Sequence, residues 1–304
     1  MIDFVTFGII LDEVRLADGR HFAGVLGGGG PQTAFGLRLW AGGVGLSARV
    51  GADLDASAKA WLVASGIDTA GLVTTEWPTL RATQRLDAAG RRAHEWLVPG
   101  PAIGAQLARS VAALPPSYRA ARGFHLGLHP EEPDLNLLAD LRALGAVVSV
   151  EPFRRAQRQM SAGELHALVS AADIFSPNLE GALSLVDEGA PLDLARRLGA
   201  AGAPVVALRL GADGSLVYAT ATGAALHIPA VPVSVVQPVG AGNAYCGGFL
   251  TGWVETGNLT EAGLRGAVAA SFLLEQVGLP ALTPALRQTA RERHAALRAR
   301  VTAA

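Results

Sequence analysis

The stretch Gln237-Pro238-Val239-Gly240-Ala241-Gly242-Asn243-Ala244-Tyr245-Cys246-Gly247-Gly248-Phe249 narrows the folds open to this chain more than any other. An extended run with β-branched residues, 228 to 236, leads into it, and a helical pattern continues from it towards Glu255. Gly240 and Gly242 permit a tight turn and leave nothing in front of the first helical N–H groups. That is what an anion site at a helix N-terminus requires. Asn243 is the first polar residue inside the helix and so is placed to approach a bound phosphate.

Two familiar settings for such a turn are excluded. A P-loop needs Gly-Lys-Ser/Thr, but Lys59 is the only lysine and no Gly-Lys pair exists. A nicotinamide-dependent dehydrogenase would want G-x-G-x-x-G after a first strand, and neither glycine cluster of this chain has that spacing. Composition removes further classes. With 50% hydrophobic residues, 17% charged and a formal charge of −1, the chain has no basic footprint for nucleic acid or an anionic membrane. No run reaches the roughly 18 apolar residues that span a bilayer. The apolar start carries Asp3 and lacks a basic region, so it reads as a first strand of a cytoplasmic protein. Cys246 is the single cysteine, which excludes a disulfide within the chain and suits a small buried hydrophobe. Its 304 residues suffice for one large α/β domain or two ordinary ones.

From the N-terminus, Ile2 to Leu11 reads as a buried parallel strand with Asp12 at its end, where open α/β sheets gather ligands. Alone, Asp12 reads more readily as a turn residue at a strand end. Val14 to Leu26 reads as two short strands about Ala17-Asp18-Gly19. Gly27-Gly28-Gly29-Gly30-Pro31-Gln32-Thr33-Ala34 then leads into a helix through Leu39. Four successive glycines serve no regular element but let a ligand lie against backbone. Leu72 to Val98 alternates polar and apolar about the hairpin signal Asp87-Ala88-Ala89-Gly90, with Trp77 and Trp96 nearby. Strands at 12–26 and 72–98, in a chain that elsewhere alternates helix and strand, predict a small β-sheet apart from the main one. Further on, His129 follows the strand 123–128, and Ser161 with Glu164 forms a capping box. Asn178 heads a helix after Asp173-Ile174-Phe175-Ser176-Pro177, and Gly211-Ala212-Asp213-Gly214 turns between two strands. The final pattern, 283–300, is an arginine-rich helix read as a solvated face.

The turn at 237–243 resembles the D-T-x-G-A-G-D signature of the ribokinase-like sugar kinases, the PfkB family, in the branch that carries G-A-G-N. The cluster at 27–34 is similar to that family's G-G-x-x-x-N-x-A. The segment Pro177-Asn178-Leu179-Glu180 resembles its P-N-x-x-E, and 210–214 its L-G-x-x-G, all in family order. The resemblance implies a doubly wound, mostly parallel α/β sheet flanked by helices. It makes 1–304 a single domain, with a β-sheet lid from about 12–26 and 72–98 that can also carry a homodimer contact. It implies transfer of the γ-phosphoryl group from Mg²⁺-ATP to a hydroxyl of a sugar or nucleoside. Gly240, Ala241 and Gly242 would form the anion hole, with Asn243 at the position of the general base. Asp12, Gly28, Gly29, Gln32 and His129 would hold the acceptor. Asn178, Gly211, Gly214 and Gln237 would lie about the nucleotide, and Glu180 about the metal. Departures matter: Asn243 and Gln237 stand where the family has Asp, Gln32 where it usually has Asn, and Glu180 one residue early, with Gly181 in the usual Glu place. An amide accepts no proton at neutral pH. The implied enzyme is therefore slow, with Asp12 or water taking the proton. The alternative is a catalytically silent sugar- or nucleotide-binding protein.

Overall fold

The computed structural model describes residues 1–88 and 92–304. Its strands are β1 (Phe4–Phe7), β2 (Ile10–Arg15), β3 (His21–Gly27), β4 (Val44–Gly51), β5 (Asp68–Thr75), β6 (Arg81–Leu86), β7 (Arg92–Trp96), β8 (Gly123–Leu128), β9 (Val147–Pro152), β10 (Ile174–Phe175), β11 (Val205–Arg209), β12 (Ser215–Ala219), β13 (Ala224–Ile228) and β14 (Thr302–Ala303). Its helices are α1 (Gly29–Trp40), α2 (Ala56–Ala64), α3 (Gly100–Leu107), α4 (Leu135–Ala143), α5 (Ala162–Ser170), α6 (Leu179–Val186), α7 (Pro191–Ala200), α8 (Ala241–Thr256), α9 (Leu259–Leu274) and α10 (Pro284–Arg298).

Among the described residues the strands form two sheets. The large one runs β14-β13-β12-β11-β10-β9-β8-β1-β4-β5. It is parallel from β5 to β11 and antiparallel beyond. Its central strands are apolar on both faces, as a sheet covered twice must be. Phe4, Leu46, Ile174 and Val217 face a core shared with α1, α2, α8 and α9. Val5, Phe124, Val148 and Phe175 face a second core with α4, α5, α6 and α7. The chain leaves β1 for β4 on one side and returns to β8 on the other, so the strand order reverses there. Ligands of doubly wound sheets bind outside the carboxyl ends of the strands at such a point.

The small sheet runs β3-β2-β6-β7. The predicted strand 2–11 is therefore two. Gly8, at φ 83°, breaks it, and the chain crosses from β1 in the large sheet to β2 in the small one. Asp12 consequently lies within a strand of the small sheet and not at the end of β1, a correction to the sequence reading. The stretch 72–98 also divides. Residues 72–75 extend β5 on the edge of the large sheet, and only β6 and β7 join β2. Of the predicted hairpin turn, Ala89 and Gly90 lie outside the described residues.

The extended run 228–236 pairs only at Ile228, because Pro229 and Pro232 remove ladder donors. The capping box at Ser161 and Glu164 is present in full. The face of α10 is less solvated than predicted. Arg293 pairs with Glu275 at 2.8 Å, and Arg287 donates to the Arg38 and Leu39 carbonyls at 2.6 and 2.8 Å.

Candidate functional site

Both glycine clusters end as helix N-termini, and both need backbone that other residues avoid. Gly28, the residue before α1, has φ 82°, and Gly240, the residue before α8, has φ 90°. Gly29 and Gly30 belong to the first turn of α1, although four glycines in a row had suggested no regular element. The reason is proximity: a β-carbon at Gly30 would overlap the Gly8 carbonyl oxygen at the end of β1.

The two helices then run against each other with almost no side chain between them. A β-carbon at Gly36 would overlap the Ala244 carbonyl and stand 3.0 Å from the Gly248 nitrogen. One at Gly247 would stand 2.8 Å from the Leu37 nitrogen. This backbone contact brings Gln32 of α1 to Asn243 of α8, whose Nδ2 donates to Gln32 Oε1 at 2.6 Å. The same Gln32 amide covers the turn, since its Cδ lies 2.5 Å from where a β-carbon of Gly240 would be. Gly29 sits opposite, 3.9 Å from Asn243 Oδ1 by the same measure.

Asp12 closes this group from the small sheet. Its carboxylate and Gln32 Nε2 flank the α-carbon of Gly27, and Gln84 of β6 donates to Asp12 Oδ1 at 3.0 Å. The carboxyl is buried. Desolvation lifts its pKa to about 6, against the opposing pull of the Gln84 hydrogen bond and the Arg92 charge. Asp12, Gln32, Gln237 and Val239 line a cavity of about 10 Å³, room for one water. Gln237 adds little chemistry to it. Its amide is engaged by the Val239 backbone at 2.8 and 3.1 Å and by the Gln276 carbonyl at 3.3 Å.

The residues expected about the nucleotide lie at the ends of β10 and β11. Asn178 caps α6, its Oδ1 accepting from Gly181 N at 2.8 Å, and pairs with Arg209 in an isolated parallel bridge. Glu180 stands exposed in the first turn of α6. Gly211 and Gly214 bound a tight turn at φ 64° and 86°, with open space beside Gly211.

His129 is the predicted residue that the structure separates from the rest. It lines another cavity, of about 180 Å³, with Arg109, Glu132, Asp134 and Phe153. The sequence reading placed it by its position after β8. The cavity instead opens on the face of β8 that carries Leu126 and Leu128, the side of the α4 core.

Sequence reasoning passed over a buried polar group beneath α8. Glu151, at the end of β9, pairs with Arg209 Nη2 at 2.7 Å, and the same Nη2 donates to the Ser176 carbonyl at 2.8 Å. Cys246 Sγ lies 3.8 Å from Glu151 and 3.5 Å from Ser176 Oγ. His125 Nδ1 meets Ser149 Oγ at 3.0 Å, while its Nε2 is buried without a partner. Burial and the Arg209 and Arg109 charges push the His125 pKa down to about 3. Burial and Glu151 push the Cys246 thiol up to about 12. Both are neutral at pH 7. His125, Glu151 and Cys246 have their ligand atoms within 4.8 Å of one another. The Glu151 carboxylate is already neutralised by a guanidinium, which argues against a cation there. The signal available in the sequence was Glu151-Pro152 closing a buried strand. A charge at such a place needs a partner.

Residues 1–286 match the family described as pfkB family carbohydrate kinase. A cytidine kinase of Thermococcus kodakarensis is 29% identical over 285 residues, 91% of this chain and 98% of the relative. Among solved structures, the adenosine kinase of Sinorhizobium meliloti superposes with a TM-score of 0.73 at 20% identity, covering 95% of this chain and 99% of that one. The fructokinase of Vibrio cholerae O395, solved with fructose, ADP and calcium, superposes at 0.75 with 19% identity, covering 95% and 98%. No helix among the described residues is long and apolar enough to cross a membrane.

Proposed function

The chain belongs to the pfkB family of carbohydrate kinases, and from that premise we propose that it transfers the γ-phosphoryl group of ATP to a hydroxyl of a sugar or nucleoside. One observation carries the reading. The two helix N-termini headed by Gly28 and Gly240 converge on Gln32 and Asn243, with a buried carboxylate, Asp12, against them. The helix N-terminus at Gly240 to Gly242 suits the phosphoryl group, and the Asp12 and Gln32 side chains suit the acceptor hydroxyls.

The proton from the acceptor goes to Asp12 or to water. Asn243 holds geometry but takes no proton. Asp12, with its pKa lifted to about 6, is ionised at pH 7.5 and more basic than an ordinary carboxylate. Phosphoryl transfer tolerates a distant base, because most of its catalysis is positioning and charge stabilisation. Glu180 is an exposed oxygen donor beside the Asn178 cap and suits Mg²⁺, which favours carboxylates and keeps several waters. Bound there, the ion would offset charge on the phosphates. The small sheet that carries Asp12 would act as the lid, excluding water from the transfer.

The test is a panel of nucleosides and sugars, cytidine first, incubated with Mg-ATP and read by mass spectrometry for a gain of one phosphate. A phosphorylated product that disappears in Asp12→Asn supports the kinase. A second reading rests on the 2.6 Å contact between Asn243 and Gln32 and on the Gln32 amide lying over the turn. In that reading the protein's own atoms occupy the anion site, and the chain binds a sugar or nucleotide without turnover. No product with any acceptor, together with ligand-dependent thermal shifts, favours it.

A further inference from the structure

The buried pair beneath α8 has a donor left over. Arg209 ends β11, and its guanidinium is fixed through Nη2 by Glu151 at 2.7 Å and the Ser176 carbonyl at 2.8 Å. Nη1 makes no hydrogen bond among the described residues, and the adjoining Nε is buried without a partner. It lies against the first turn of α8. A β-carbon at Gly242 would overlap Nη1, with Glu151 Oε2 at 3.9 Å behind it. A glycine is thus needed there, since any larger residue would push the guanidinium away from the helix N-terminus. The side chain is only 14% exposed and Glu151 8%, so the pair works in a medium where charge is weakly screened.

We propose that Arg209 is a catalytic residue of the phosphoryl transfer, with Nη1 donating to the phosphoryl group as it crosses the turn at 240–242, and that Glu151 is its positioning residue. The inference rests on the kinase reading. In the step, the bond from the acceptor oxygen to the γ-phosphorus forms while the bond to the β,γ-bridging oxygen breaks. The electron pair of the broken bond stays on ADP, the acceptor proton leaves for Asp12 or solvent, and Arg209 gives up no proton. Negative charge spreads over the equatorial oxygens of the group in transit. A cation already in place next to them lowers the barrier without reorganising.

Titration calorimetry with Mg-ADP, alone and with aluminium fluoride as the planar phosphoryl mimic, separates the roles. In the wild type, fluoride should tighten Mg-ADP binding by tenfold or more. In Arg209→Gln that tightening should vanish while Mg-ADP alone changes less than threefold. Glu151→Gln should lose most of the tightening, and Arg209→Ala should recover it in 50 mM guanidinium. In turnover, Arg209→Gln should lose about 10²–10³ in kcat. Tightening in Arg209→Gln equal to wild type overturns the inference. So does loss of Mg-ADP binding itself in that variant, which marks a structural role. Should Arg209→Gln not fold, the double variant Arg209→Met/Glu151→Gln, which leaves no unpaired charge, gives the same two outcomes. A wild type that binds Mg-ADP but shows no fluoride effect overturns this inference alone, whereas a wild type that binds no Mg-ADP overturns the kinase reading beneath it.

Discussion

Asp12 pays for its position with stability. Its folded pKa of about 6 lies above the ordinary 3.8, so the folded protein holds this proton where the unfolded chain has released it. The sign follows: the contribution to stability is fully present below pH 4 and is lost as pH rises through 6. Asp12→Asn should therefore match wild type in urea unfolding at pH 4 and exceed it by roughly 2–3 kcal/mol at pH 8, while phosphorylation falls at least 100-fold. Wild-type activity should decline below pH 6 as the same carboxyl protonates. Asn243→Asp restores a proton acceptor 2.6 Å from Gln32 and should raise turnover by about 10². An unchanged rate would favour the silent binder. Cys246 has a thiol pushed up to about 12 in a buried setting, and it should react with Ellman's reagent only on unfolding. At this scale Gln32 and Asn243 could be singled out because they sit at fixed offsets from glycine turns, Asn178 because it heads a helix after Pro177, and Asp12 because it ends an apolar run. Their partners were not. Gln84 reaches Asp12 across 72 positions, and nothing local in the sequence pairs Arg209 with Glu151.

The helix pair α1 and α8 holds the site together through what its residues lack. Gly36→Ala or Gly247→Ala puts a methyl group where the other backbone stands, and a packed interior has no slack to absorb it. Each should cost at least about 2 kcal/mol in urea unfolding and weaken Mg-ADP binding, because the Gln32 and Asn243 contact depends on the spacing. Ser161→Ala, by contrast, removes a local cap remote from these helices. It should cost about 1 kcal/mol and leave ligand binding unchanged. Elements with local signals were legible: the capped helices, the strands of the parallel core and the turn at 211–214. Elements set by tertiary choice were not. The apolar run 2–11 carries one uniform strand signal, yet a left-handed glycine divides it between two sheets. Residues 72–75 look like their neighbours in the small sheet, but β4 recruits them.

Across the whole molecule, the small sheet joins the large one where β2 follows β1, and it carries Asp12. Closing that sheet over ligands should stabilise the fold by mass action. Mg-ADP at about 100 times its Kd adds about 2.7 kcal/mol, a rise of several degrees in Tm, and an acceptor that binds should add to it. The doubly wound class was legible because alternating apolar strands and helices admit few other solutions.

The Gln32 and Asn243 contact joins positions 211 residues apart. On the ribosome, therefore, strands β1 to β13 precede the α8 half of the candidate site. Domains of this size fold through partly formed states, and late, distant contacts close last. A polypeptide interrupted just before α8 would carry a nearly complete sheet but lack the Gln32–Asn243 contact, so such a stalled or clipped product would have most of the shape without the candidate site.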